Sequence, residues 1–173
     1  MSRPTSEQLK SLFWYDSKTG NLIRKVSTNS NTKVGDTAGR ITSAGYRQVS
    51  VYGKKYVAHH LIWVYHYNEW PKELDHINRV RDDNRIENLR LATRTQNLYN
   101  RLSYKGSKSR YKGVSLHKAS GKWCAYHQTP EGSKWLGLFN TEKEAAEVYK
   151  KATKGLHKEF SNYNLERYED EDR

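Results

Sequence analysis

From Glu73 the chain runs Glu-Leu-Asp-His-Ile-Asn-Arg-Val-Arg-Asp-Asp-Asn-Arg-Ile-Glu-Asn-Leu-Arg-Leu-Ala-Thr-Arg-Thr-Gln-Asn97, and this stretch constrains the fold more than any other. It reads as a short strand ending at Asp75 and His76, a polar loop from Asn78 to Arg85, a second short strand from Leu89 to Ala92, and a helix that begins at Thr93. Thr93 and Gln96 have capping-box spacing, which places Asn97 one turn into that helix, on the side of Thr93. A carboxylate, an imidazole and two amides are thus distributed over two strands, a loop and a helix. Neighbours on a strand point to opposite faces, so Asp75 and His76 reach one substrate only if the strand ends or bends there.

Those residue types suit one chemistry. Hydrolysis of a phosphodiester needs a nucleophilic water, shielding of the phosphate charge and stabilisation of the departing oxygen, and a hard cation serves the last two. Magnesium takes oxygen ligands and keeps several waters, so the carboxylate of Asp75 and the amide oxygen of Asn97 suffice as protein ligands. His76, with an ordinary pKa of roughly 6.5, can be neutral near pH 7 and accept a proton from water. Asn88 donates and accepts at once, which suits it to pinning the loop that shapes the histidine. The bland alternatives are a surface turn for Asp75-His76 and an ordinary turn for Asp82-Asp83-Asn84. A calcium loop is excluded, because it needs alternating oxygen ligands around a central glycine.

Charge indicates what such a site would meet. Lysine and arginine number 31 against 19 acids, a net +12 with a pI near 9.7, which selects a polyanionic partner. A membrane is the rival polyanion, but the longest apolar run is Leu61 to Tyr65, far short of the roughly 20 residues of a spanning helix. The start of the chain, Met1-Ser-Arg-Pro-Thr-Ser-Glu, lacks the apolar core of a signal peptide. Cys124 is the single cysteine, which excludes an internal disulfide and a multi-cysteine structural zinc site. A reducing, cytoplasmic setting is the expectation.

The sequence divides into two basic lobes. Residues 1–100 hold 16 basic and 9 acidic side chains, residues 101–165 hold 13 and 5, and the last eight hold five acids against two arginines. The expected layout is a first domain over 1–103 with its metal-site core at about 72–100, a basic linker at 104–110, a second domain over 111–165, and a frayed acidic tail at 166–173. Arg101 to Lys112 carries five cations and no acid in a Ser/Gly background, as a linker lying on phosphates would, or a merely solvated spacer.

In the first lobe the pattern predicts a helix from Thr5 to Phe13 capped by Thr5, an extended segment from Leu22 to Val26, and an alternating strand from Gly45 to Tyr52. A Gly53-Lys54 turn and residues Lys55 to Ala58 complete a small antiparallel sheet. His59 to Tyr67 reads as a helix stopped by Trp70-Pro71. In the second lobe, Tyr111 to Leu116, Lys122 to Gln128 and Lys134 to Phe139 read as three strands. A helix capped by Thr141 and Glu144 follows, with Ala145, Val148, Tyr149, Ala152 and Leu156 on its sheet-facing side. The fold class is therefore α+β.

With these residues in view, Leu-Asp-His-Ile-Asn, Asp-Asn-Arg-Ile-Glu-Asn-Leu-Arg and Thr-Gln-Asn resemble the HNH nuclease motif of the ββα-metal superfamily. The version is the one ending in asparagine, as in phage and intron-encoded homing endonucleases, and the resemblance covers roughly residues 45 to 100. It implies that Asp75 and Asn97 ligate a divalent metal, that His76 activates water, and that Asn88 supports the site. It also marks His59, which as a helix-heading histidine would otherwise read as a cap or packed residue. His60 stands where the family usually has arginine, and Arg79 where many relatives have glycine.

Tyr111-Lys-Gly-Val114, Gly121-Lys-Trp-Cys-Ala125, Trp135-Leu-Gly-Leu-Phe139, Thr141-Glu-Lys-Glu-Ala-Ala146 and Tyr163-Asn164 together resemble an AP2 domain, in which a three-stranded sheet backed by a helix enters the major groove. The resemblance implies DNA-facing positions at Lys112, Ser115, His117, Tyr126, Gln128 and Trp135, although Trp135 also suits a core. Strand alternation puts Lys122, Cys124, Tyr126 and Gln128 on one face, with Trp123 and Ala125 on the other. Ser, His and Gln replace several arginines of plant relatives, which removes the strongest guanine readers. Lys105, Lys108, Arg110, Lys118 and Lys134 are candidate phosphate contacts, and Arg85, Arg90 and Arg94 are candidate clamps or structural arginines.

The expectation is a DNA endonuclease dependent on magnesium, or alternatively manganese, with no structural zinc and no small-molecule cofactor. It would act on double-stranded DNA as a monomer, without a membrane. The alternatives are a catalytically inactive DNA-binding regulator and a basic RNA-associated protein.

Overall fold

The computed structural model describes residues 3–28, 30–101, 107–129, 131–154 and residue 160, and it divides into two compact units between Thr93 and Arg94. Both are mixed α+β with small antiparallel sheets, as the residue pattern predicts.

The first unit begins with α1 (Ser6–Leu12), where the Thr5 hydroxyl accepts from Gln8 N–H and the Gln8 side chain accepts from Thr5 N–H. The predicted helix is one residue too long. Phe13 turns to extended backbone and opens β1 (Phe13–Asp16), because its buried ring belongs to the sheet side of the core. β1 pairs with β2 (Asn21–Arg24), and the expected extension to Val26 does not form, since Val26 is exposed. A three-stranded sheet follows, made of β3 (Arg40–Ile41), β4 (Arg47–Val51) and β5 (Lys54–Val57). Two residues of β3 are too few to leave an alternation, and the sequence pattern does not reveal it.

α2 (Ala58–Tyr67) ends at the residue the pattern predicts, but not through Trp70-Pro71. Asn68 takes the left-handed conformation at φ 53°, and its N–H closes on Val64 O, so the cap rather than the proline terminates the helix. Leu9, Phe13, Leu22, Val49, Val51, Leu61, Ile62 and Val64 form the core between α1, α2 and the sheets. β6 (Leu74–His76) and β7 (Leu89–Leu91) then pair with Asp75 opposite Arg90, joined by the loop and a 3-10 turn at Ile86–Asn88.

The second unit holds α3 (Arg94–Asn100), a sheet ordered β10 (Gly132–Phe139), β9 (Lys122–Thr129), β8 (Val114–His117), and α4 (Glu142–Thr153). The Thr141–Glu144 capping box forms, and Ala145, Ala146 and Tyr149 pack on Val114 and Ala125. β8 starts at Val114 rather than Tyr111 because Gly113 sits at φ 71° against Tyr149. A Cβ there would lie 2.2 Å from the ring, so the Lys-Gly-Val step is what lets the helix approach the sheet. Leu156, Tyr163, Asn164 and the acidic tail lie outside the described residues. No helix among the described residues is long and apolar enough to cross a membrane.

Candidate active site

The site is assembled around the end of β6. Asp75 and His76 diverge as strand neighbours must, and the strand stops at His76, whose carbonyl accepts from Arg79 N–H at 2.9 Å. Asp75 faces its cross-strand partner: Arg90 Nε and Nη2 donate to Asp75 Oδ2 at 2.9 and 2.6 Å, with both side chains largely buried. Arg90, by sequence a candidate clamp or a structural arginine, is the counter-ion of this carboxylate. Arg85 likewise forks onto Asp83 at 2.8 and 2.6 Å, and it holds the Asp83 carboxyl down to about 2. Cross-strand register and two-residue spacing supply these cations with internal partners before any phosphate arrives.

His76 turns to the other side. Its Nε2 lies 3.1 Å from Asn84 Oδ1, and Asn84 is completely buried. The amide cannot be turned round without loss, because Asn84 Nδ2 donates to Asp82 O at 3.2 Å. Asn84 Oδ1 therefore accepts, Nε2 carries the proton, and the basic lone pair of neutral His76 resides on Nδ1. Burial lowers the His76 pKa, and the Asn84 hydrogen bond and the Asp75 charge counter part of that fall, so the ring is neutral and basic at physiological pH.

Behind it lies a stack of rings that the sequence does not foretell. His59, in the first turn of α2, meets His76 edge-on at 4.8 Å between centroids and meets His60 at the same distance, while Tyr46 lies 5.5 Å from His59. Burial, then the neighbouring imidazoles of His76 and His60, push His59 down to about 3, so it is a neutral packing ring. Burial similarly lowers His60, with Arg3 and His76 adding to the effect.

The loop that carries Asn84 is tied on every side. Asn88 Oδ1 accepts from Asn78 N–H at 2.9 Å, and its Nδ2 donates to Asn78 Oδ1 and Asp83 O at 2.9 and 2.7 Å. Arg47 forks onto Asp82 at 3.0 and 2.9 Å, Arg81 donates to Ala44 O, and Ile86 N–H donates to the Tyr15 hydroxyl at 2.8 Å. Gly20, at φ 71° in the β1–β2 turn, backs onto Asn84 and Arg85 so closely that a Cβ would meet their backbone at 2.5 and 2.4 Å. Arg79 occupies the left-handed region at φ 66°, the conformation that glycine would hold without strain.

Asn97 lies in α3 of the second unit, as does Arg94 at its first position. In the sheet of that unit Tyr126 pairs directly with Trp135, and Trp135 is 56 % exposed, so it is not core. Lys122 and Gln128 share the exposed face with this pair. Lys134 does not: it stands opposite His127, on the reverse face, because alternation from Trp135 carries it there. Lys112 Nζ donates to Leu98 O and Tyr99 O at 2.7 and 2.5 Å, so this expected DNA contact is held by the last carbonyls of α3.

Ser115 and Cys124 hydrogen-bond each other at 2.9 Å, Cys124 being buried rather than presented, and His117 Nδ1 lies 2.8 Å from Ser120 Oγ. Part of the expected linker is anchored too. Ser109 is fully buried and donates to Glu142 Oε1 at 2.7 Å, and Arg110 N–H donates to the same oxygen, while Lys108 and Arg110 point outward. Lys105 lies outside the described residues.

A buried imidazole oriented at the end of a β-hairpin, next to a carboxylate in a strongly basic chain, defines a nuclease type of site. Residues 56–99, from within β5 to within α3, match the family model described as HNH endonuclease. The chain is also similar to the AP2-like ethylene-responsive transcription factor AIL7 of Arabidopsis thaliana, at 32% identity over 107 residues, 59% of this chain and 20% of that protein. It thus spans about a fifth of that relative's length. No solved structure matches it.

The donor chemistry fits a hard divalent cation. Asp75 is a buried carboxylate on β6, an oxygen donor of the kind such a cation takes, and among the described residues no group of three or more His, Cys, Asp or Glu side chains gathers as a metal site. Asp75 would hold the cation through oxygen. The part of Asn97 as second ligand rests on the motif spacing alone.

Proposed function

We propose that the protein is a divalent-metal-dependent endonuclease of homing type that hydrolyses phosphodiester bonds in duplex DNA. The observation that carries this reading is the orientation of His76, with Asn84 holding the proton on Nε2 and leaving Nδ1 to take a proton from the attacking water. Bound at Asp75, a magnesium or manganese ion would neutralise phosphate charge and stabilise the leaving oxygen. His59 keeps water from the back of the ring, Asn88 holds the loop that presents Asn84, and Arg90 orients the Asp75 carboxylate. The AP2-like sheet would hold the DNA through its exposed Tyr126–Trp135 pair and the outward cations Lys122, Lys108 and Arg110. A monomer on DNA in the cytoplasm of a bacterial host, with a phage or mobile element as origin, completes the proposal.

Incubation of supercoiled plasmid with the protein and magnesium tests it, and His76→Ala should abolish cleavage while gel shifts persist. One observation favours the second reading, an inactive DNA-binding regulator: Arg90 already places a cation on Asp75 at 2.6 Å. Shifted but uncut plasmid across magnesium and manganese would establish that reading instead.

A further inference from the structure

A second cationic site lies away from the HNH segment, on the solvent face of the first unit. Arg40 and Gln48 are cross-strand partners, as are Ser50 and Lys55, and alternation turns all four away from the core face that Val49 and Val51 occupy. Arg24, from β2, borders the same concavity, whose volume is about 520 Å³, within the range of small-ligand pockets. All five residues precede the matched segment, which starts at residue 56.

Arg24 is the unusual member. It is only 8 % exposed, yet its guanidinium makes one long hydrogen bond, 3.4 Å to Thr28 Oγ1, and has no ion-pair partner among the described residues. Asp36 borders the concavity, but its Oδ2 is engaged by the Lys33 N–H at 2.7 Å. Three cations therefore face one carboxylate. A buried guanidinium is costly unless an anion compensates it, and the fork of Arg with neighbouring amide and hydroxyl donors is the arrangement that holds tetrahedral oxyanions.

We propose that this concavity binds a phosphate of the DNA backbone, giving the protein a strand contact separate from its cleavage site and its AP2-like sheet. The proposal rests on the reading that the chain acts on DNA, but not on its being catalytic. Arg24 is the fixed anchor at the floor, Arg40 and Lys55 close on the phosphate from the exposed strands, and Gln48 and Ser50 donate to the remaining oxygens.

The test uses the full chain and a fluorescent DNA duplex, with affinity followed over a series of salt concentrations. Each lost phosphate contact lowers the slope of log affinity against log salt by about 0.9, so the double variant Arg40→Ala/Lys55→Ala, which opens the one phosphate site, should flatten it by about 0.9. Because both side chains are exposed, folding should be unaffected. Arg24→Met should weaken DNA binding while leaving the melting temperature equal or higher, because it removes a buried charge rather than a structural ion pair. An unchanged salt slope in the double variant overturns the proposal, even if inorganic phosphate shifts the NMR resonances of Arg24 and Gln48, for the site would then take a free anion and not a strand. If the wild type cuts no DNA but the slope still flattens, this site stands and the nuclease reading falls.

Discussion

Asn84 invites the most informative single change. Its amide is the acceptor for His76 Nε2 at 3.1 Å, it is fully buried, and its own nitrogen is locked by Asp82 O. In Asn84→Ala the imidazole loses the partner that selects its tautomer, and a buried N–H left without an acceptor costs about 1–3 kcal/mol. The ring can escape that cost by carrying its proton on Nδ1, which removes the lone pair from the side assigned to water. If only the weaker half of that energy is expressed in the transition state, about 1.4 kcal/mol, cleavage slows about tenfold. Full tautomer loss would slow it further. Single-turnover cleavage of a DNA duplex reads the rate, and nitrogen chemical shifts of the His76 ring read the tautomer directly. Asn84→Gln, which retains an acceptor, serves as the conservative partner. An Asn84→Ala protein that cleaves at the wild-type rate with its proton on Nδ1 would refute the assignment of Nδ1 as the base.

Three other perturbations address the support of the site. Arg79→Gly should raise the denaturant midpoint, because relief of a left-handed residue at φ 66° is worth about 1–2 kcal/mol and the added chain entropy returns about half of it; a lower midpoint contradicts the strain. Gly20→Ala should destabilise the first unit by about 2–4 kcal/mol, since its Cβ would press on Asn84 and Arg85 backbone at 2.5 and 2.4 Å, and a melting curve like the wild type's would show that the turn yields freely. His59 is held at about 3 in the folded chain against 6.5 ordinarily, so the unfolded chain takes up its proton first. Stability is then full above about pH 6.5 and falls as pH drops towards 3, at about 1.4 kcal/mol per pH unit. Urea titrations from neutral to mildly acidic pH should show that fall flattened in His59→Phe; an identical slope in both proteins would place the proton elsewhere.

Much of the local architecture can be read along the chain because its causes are local. The Thr141–Glu144 box and the Thr5 cap are set by residues three apart, and the β9 alternation of Trp123 and Ala125 against Tyr126 and Gln128 is a property of one strand. Boundaries shift where a distant contact competes. Phe13 leaves the helix to fill the sheet core. Trp135, equally suited to core or surface by composition, is placed outside by its pairing with Tyr126.

The sequence alone determines the chemistry available: a carboxylate, a histidine and amides at HNH spacing, in a chain of net +12 that seeks a polyanion. Tertiary structure decides which atom does what. Asn84 becomes the partner of His76, Arg90 the counter-ion of Asp75, and Gly20, Tyr15 and Arg47 the buttresses of a loop they are far from in sequence. The physical reason is that a hydrogen bond's worth depends on burial and angle, neither of which has a period along the chain. Arg24 illustrates the same division: one cation among 31 in sequence, and in the fold a buried guanidinium facing a concavity that an anion can fill.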